Sequence, residues 1–268
     1  MTARARRVRG AALLAALALT AACAGTTTRV PVGTLEPDKF LWERGTEALN
    51  ARKWFTAREF FRQLVDGYPQ SPYRQDGKLG IGDTYLGEGT AEAFVLAENE
   101  FREFLNFFPT HPRADYAHFK LAMTHFYQMH GPERDQTKTR DAVRELTAFV
   151  ERYPNSELAP EGRARLREAR DRLSQSEYRV GFFYYRSKWY PGALERFSSV
   201  LKNDPEFTNR DAVYYHLAEA LMKIERPAEA MAYYDRLITE FEQSEYLENA
   251  RKRLAELKAQ VAAAVKKE

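Results

Sequence analysis

The chain has 268 residues, with 41 basic and 38 acidic side chains and a net charge of +3 at pH 7. Setting aside Arg4, Arg6, Arg7 and Arg9 of the opening segment leaves 37 basic against 38 acidic side chains, so the remainder lacks the basic field that nucleic-acid binding requires. Hydrophobic residues at 44% and aromatics at 13% suffice for a packed core, and 1 cysteine excludes both an intramolecular disulfide and a cysteine-based metal cluster.

The opening MTARARRVRG is basic and free of acids, and Ala11 to Ala22 follow as a run of Ala, Leu and one Thr. A basic start, a short apolar run and small residues at its end describe a secretory signal over residues 1–22. The run is too short to cross a bilayer, which takes roughly 20 apolar residues. The only cysteine, Cys23, comes directly after it. Two readings of Cys23 stand. In one, an ordinary peptidase cuts nearby and the thiol is incidental. In the other, Leu19-Thr20-Ala21-Ala22-Cys23 resembles a bacterial lipobox, with Thr20 where leucine is usual, and Cys23 is the acylated first residue of the mature chain. The coincidence of the lone cysteine with the end of the signal favours acylation. Ala24, where aspartate would mark inner-membrane retention, points to the outer membrane. Residues 23–37, rich in Thr, Gly and Pro and without periodicity, are expected to form a lipidated, flexible tether.

From residue 38 one pattern recurs: an alanine, a bulky residue four later, and a proline twelve after the alanine. It reads Ala57/Phe61/Pro69, Ala97/Phe101/Pro109, Ala142/Leu146/Pro154 and Ala193/Phe197/Pro205. A fifth copy, Ala230/Tyr234, has Glu242 at the proline position. Residues at i and i+4 share one helical face, and the proline ends that helix. Twelve residues upstream of three of these alanines lie Gly45, Gly181 and Ala218, small enough to let two helices approach closely. These offsets resemble the tetratricopeptide (TPR) repeat. The resemblance implies an all-α fold: a TPR-like right-handed superhelix of about five helix pairs with a C-terminal capping helix. Copy spacings of 40, 45, 51 and 37 residues imply longer helices or loops than the usual repeat. EGRARLREARDRLSQSEYRVGFFYYRS predicts one long helix, opened by Pro160. ENARKRLAELKAQVAAAVKKE predicts the polar capping helix, with residues 259–268 as a polar tail.

Little in the chain suggests chemistry. GKLGIGDTYLGEG (77–89) lacks the spacing of a phosphate loop and reads as a repeat's first helix, with a turn at Gly87-Glu88-Gly89. Asp115, His118 and His125 share roughly one helical face, with His111 between two prolines upstream, but no tight metal-binding spacing joins them. They read as structural residues. No nucleophile with a base can be argued, and no cofactor or enzymatic activity is expected. Tyrosines cluster in FFYYRSKWY (182–190), VYYH (213–216) and AYYD (232–235), at core spacing first and as peptide-binding surface second.

YPQSPYRQ (68–75), FPTHPRADYAHF (108–119), VERYPNSE (150–157) and RDRLSQSEYRVGFFYYRSKW (170–189) resemble, in this order, the BamD (ComL) family, the lipoprotein subunits of the outer-membrane β-barrel assembly machinery. The resemblance implies a lipid-anchored protein on the periplasmic face of the outer membrane. It implies an N-terminal TPR half (38–132) that binds the signals of unfolded outer-membrane proteins, and a C-terminal half (133–258) that docks on the periplasmic domains of the central barrel subunit. Other accessory lipoproteins are further implied partners. The implied peptide site lies near Tyr68, Tyr73, Tyr85, Tyr116 and Phe119, and the implied docking residue is Arg196 on the second helix of the fourth repeat. A different periplasmic TPR lipoprotein, such as a cell-wall synthesis coordinator or a secretin pilot, is the alternative expectation.

Overall fold

The computed structural model describes residues 28–265, so the signal over 1–22, Cys23 and the first residues of the tether lie outside the described residues. Among the described residues all regular structure is helical, in eleven helices. The described residues form two compact units, divided between Glu88 and Gly89.

The first unit contains α1 (Pro37–Asn50), α2 (Trp54–Gly67) and α3 (Arg74–Glu88), each packed on the other two. Ala57 and Phe61 are buried on α2, as the i, i+4 spacing predicts. A Cβ on Gly45 of α1 would lie 2.5 Å from the Phe61 ring, and a Cβ on Gly80 of α3 would lie equally close to its opposite edge. Phe61 is thus gripped between two glycines, one of which the repeat pattern identified. The glycine-rich segment 77–89 is helical to Glu88, so the chain turns later than its glycines suggested, at Gly89 (φ 72°). Gly87 stays within the helix, where a Cβ would meet the Trp54 indole at 2.8 Å.

The second unit runs through α4 (Ala91–Phe107), α5 (Ala114–Phe126), α6 (Thr137–Arg152), the long α7 (Ala159–Arg186), α8 (Tyr190–Asn203), α9 (Arg210–Lys223), α10 (Pro227–Glu240) and α11 (Leu247–Val265). Each helix packs on the next. Thr90 caps α4 by accepting the Ala93 N–H at 3.2 Å. The aromatic-on-glycine contact recurs at Phe149 on Gly162 and at Phe197 on Gly181, where an added Cβ would lie 2.5 and 2.7 Å from the rings. The predicted long helix is α7, with Pro160 in its first turn, where the missing N–H costs nothing. The predicted capping helix is α11.

Two kinds of turn join these helices. Within a pair, Arg52, Lys188 and Glu225 are left-handed (φ 57°, 62° and 62°), each five residues before its repeat alanine. In each case the following N–H reaches back to a helix carbonyl: Lys53 to Ala48, Trp189 to Tyr184 and Arg226 to Leu221, at 2.9–3.0 Å. Between α5 and α6 a longer loop takes this place. It is stitched by buried Gln136, whose Nε2 donates to the Gly131 and Arg134 carbonyls at 2.7 and 3.0 Å.

Between pairs, the residue before the repeat proline leaves the helical region, as steric conflict with the proline ring demands. Phe241, which precedes Glu242 rather than proline, adopts the same conformation (φ −135°, ψ 73°). A hydroxyl ladder explains why. Ser156 donates to Asp115 at 2.6 Å, Thr208 to Asp171 at 2.8 Å and Ser244 to Asp211 at 2.6 Å. In the first unit a hydrogen bond from Ser71 holds the Asp38 carboxyl below its ordinary range. An aspartate on an earlier helix therefore fixes each of these turns, with or without the proline.

Candidate functional site

In the first unit, Tyr68 and Tyr73 come together. Both pack on the buried cluster of Leu41, Phe60 and Leu64, and Tyr73 stacks on Trp42 with ring centroids 5.1 Å apart. Trp42 was not anticipated. Its only sequence signal is an aromatic near the start of a first helix. Tyr85 has different neighbours. Its ring is buried under the Arg58 guanidinium at 4.0 Å, and its hydroxyl accepts from Arg62 at 2.7 Å. It supports α2 against α3 and presents no ring face to solvent.

In the second unit, Tyr116 is half-buried, with the Arg113 and Lys120 cations 4.5 and 5.2 Å from its ring centre. Phe119 is a core side chain at 5% exposure, tilted against Phe149 at 5.4 Å. The two residues point differently because three positions along a helix is about 300° of rotation, enough to move a ring from the half-buried flank to the interior.

The histidine–aspartate group is distributed among packing roles. Asp115 is held by Ser156. His118 lies 3.6 Å from Glu145, and His125 lies 3.8 Å from Glu98. His118 is the largest influence holding the Glu145 carboxyl at about 2; burial opposes it, while Arg102 and Arg144 add to it. Burial pushes His125 down, keeping it neutral. Among the described residues no group of three His, Cys, Asp or Glu side chains is arranged to hold a metal. His111 stays in its turn, where Nδ1 accepts the Arg113 N–H at 3.1 Å.

The tyrosine clusters of 182–190 and 213–216 do converge. Six rings surround buried His216: Tyr178, Phe182, Tyr185, Phe197, Tyr215 and Tyr246, with centroids 4.9–6.3 Å from the imidazole. His216 Nδ1 lies 2.8 Å from the Ala212 carbonyl, an arrangement in which the neutral ring donates to that oxygen. The outer rings open into a groove of about 1020 Å³ along the C-terminal half of α7, lined by Tyr178, Phe182, Phe183, Tyr184 and Tyr246. Phe183 in this lining and Trp189, edge-on to Tyr184, are 64% and 55% exposed. Exposed aromatics on a helical-repeat surface are what a polypeptide partner would cover. The third tyrosine stretch turns inward: Tyr234 is fully buried and donates to Glu219 at 2.5 Å.

Arg196 is exposed on α8 and pairs with Glu177 of α7 at 3.1 Å. Among the described residues no helix is long and apolar enough to cross a membrane. Cys23 lies outside the described residues.

Comparison with known proteins agrees with this architecture. A model of the outer membrane lipoprotein family YfiO matches residues 35–225, and a tetratricopeptide repeat model matches residues 212–244. Curated relatives include outer membrane protein assembly factor BamD of Caulobacter vibrioides, 29% identical over 81% of this chain and 71% of the relative. The protein of the same name in Vibrio cholerae is 27% identical, covering 72% and 82%. That of Neisseria meningitidis serogroup B is 23% identical, covering 77% and 80%.

Proposed function

The chain belongs to the outer membrane lipoprotein family YfiO, and from that membership we propose that it is a non-catalytic assembly factor for outer-membrane β-barrel proteins. The observation that carries this reading is the extent of the match, which runs from the tether through the ninth helix. Acyl chains on Cys23 hold the protein at the periplasmic face of the outer membrane, and the segment before α1 separates the folded part from the lipid.

The N-terminal half, 38–132, receives signals of unfolded outer-membrane proteins. In the first unit Tyr73 with Trp42 and Tyr68, and in the second unit Tyr116 with its two cations, each offer rings to an amphipathic, aromatic-ended segment. Tyr85 and Phe119, with buried rings, brace the helices of their own units. The C-terminal half, 133–258, docks on the periplasmic domains of the central barrel subunit, with Arg196 exchanging its Glu177 partner for an acid of that subunit. Purification from mildly solubilised membranes tests the proposal. Recovery of a large barrel protein with repeated periplasmic domains, reduced by Arg196→Glu, is expected. Recovery of peptidoglycan synthases or a secretin instead would sink it. Palmitate labelling that survives Cys23→Ala would remove the anchor, and unchanged binding of β-signal peptides to a Tyr73→Ala/Tyr116→Ala variant would remove the peptide site.

A further inference from the structure

Between α6, α7 and α8 lies a recess of about 480 Å³ that carries three arginines, Arg134, Arg140 and Arg170, over the apolar side chains Val143, Leu173 and Val200. Its two acids are Glu177 and Asp204, and both are already paired with arginines that do not line it. Arg196 holds Glu177 at 3.1 Å, and Arg167 holds Asp204 through both nitrogens, one at 2.9 Å. Of the three lining arginines, Arg140 feels the Asp135 carboxylate and Arg170 that of Asp204, in neither case as an ion pair. Arg140 donates to Thr137 Oγ1 at 3.1 Å and Arg170 to Thr147 Oγ1 at 3.5 Å, and among the described residues none of the three forms an ion pair. Three guanidinium groups around one recess, none of them in an ion pair, are a receptor for carboxylates, which they match in planar, two-pronged geometry.

The recess adjoins the aromatic groove, with Arg134 and Ser176 lining both. From Arg170 to Arg186 the two follow α7 for about 24 Å at 1.5 Å per residue. An extended segment of about seven residues, at roughly 3.3 Å each, covers that distance. A free anion would use the arginines and leave the rings exposed; a polypeptide carrying both acids and aromatics uses both. We propose that the Arg134/Arg140/Arg170 recess anchors the carboxylates of an acidic, aromatic-bearing segment of a partner polypeptide, laid in extended form along α7. The site adjoins the docking residue, since Glu177, the partner of Arg196, lines the recess, and it does not depend on which subunit supplies the segment.

Fluorescence anisotropy of the full chain with a labelled decapeptide of glutamate and phenylalanine tests it, with a lysine-for-glutamate peptide as control. The acidic peptide is expected to bind with a Kd below about 1 mM and to weaken with added salt. Arg134→Glu/Arg140→Glu, at two exposed positions outside any ion pair, is expected to lower affinity at least about tenfold with an unchanged melting temperature. Equal binding of the lysine peptide, no binding of the acidic peptide, or an unaffected double variant overturns the proposal. So does full competition by inorganic phosphate, or arginine-dependent binding to phosphatidylglycerol vesicles stronger than to the peptide, since either makes the recess a phosphate or lipid site. Loss of the barrel protein from the Arg196→Glu pull-down is a separate readout, so the two readings fail independently.

Discussion

The helices around His118 and those around His216 belong to the same repeat architecture, and they settle a buried imidazole in different ways. His118 packs edge-on to Phe149 and Tyr153 but sits beside an ionised carboxylate, Glu145, which two arginines also approach at 3.3–3.4 Å. His216 is enclosed by six rings and donates to a backbone carbonyl, with Glu219 and Glu245 as more distant charges. A helix-pair repeat fixes where an interior position lies and leaves its polarity open. Charge there is tolerated when it is paired; rings are tolerated when they interlock.

The largest effect expected from breaking this comparison is on the aromatic side. Phe197 is fully buried against Gly181 and the His216 cage. Phe197→Ala should cost about 3–5 kcal/mol in urea unfolding, by lost burial and the cavity left behind. A cost below about 1 kcal/mol would mean that the rings do not interlock.

On the ionic side, Glu145→Gln should cost about 2 kcal/mol at pH 7, discounted because Arg102 and Arg144 are about half exposed. The folded pKa of about 2 lies below the ordinary 4.5. The carboxylate's contribution is therefore complete above pH 4.5 and is lost as pH falls towards 2. The variant should show a flatter acid limb of stability, and an unchanged limb would show that Glu145 is not held by its neighbours.

A smaller effect separates the two centres by pH. Burial lowers the His216 pKa below its ordinary 6.5. Its contribution is complete above pH 6.5 and is lost as pH falls through that value towards the lower folded one. His216→Phe should reduce stability's dependence on pH just below 6.5, leaving the share contributed by His125, which burial also lowers, and leaving the Glu145 limb intact. Persistence of the full slope would assign it to another group.

The smallest expected change is a gain. Lys188 is left-handed at the turn leaving α7, whereas the corresponding α5–α6 connection avoids such a residue by using the Gln136 loop. Lys188→Gly should raise stability by about 0.5–1 kcal/mol, seen as a shift in the urea midpoint with an unchanged slope. A loss would mean that the lysine side chain contributes more than its backbone costs.

Much of the repeat was legible because its signals are local. Ala57/Phe61 and Ala193/Phe197 mark a helical face, Pro69 and Pro205 mark the stop, and Gly45 and Gly181 mark where a neighbour comes close. The site was less legible. Tyr68 and Tyr73 came together as an aromatic surface, but Trp42, which completes it, lies in another helix and carries no spacing signal. Tyr85 and Phe119 look like surface tyrosine and phenylalanine in the sequence, and packing turned both rings away from solvent.

By itself the sequence determined the helices, their order and the places where they stop, since these depend on residues within one or two turns of each other. Only the tertiary structure decided which charges meet. Asp115 with Ser156, Arg167 with Asp204, and the unpaired arginines of the α7 recess are separated in sequence by loops and helices of unequal length, so no fixed offset encodes them. Coulomb and hydrogen-bond energies depend on distances of a few ångströms, and those distances exist only once the helices have packed.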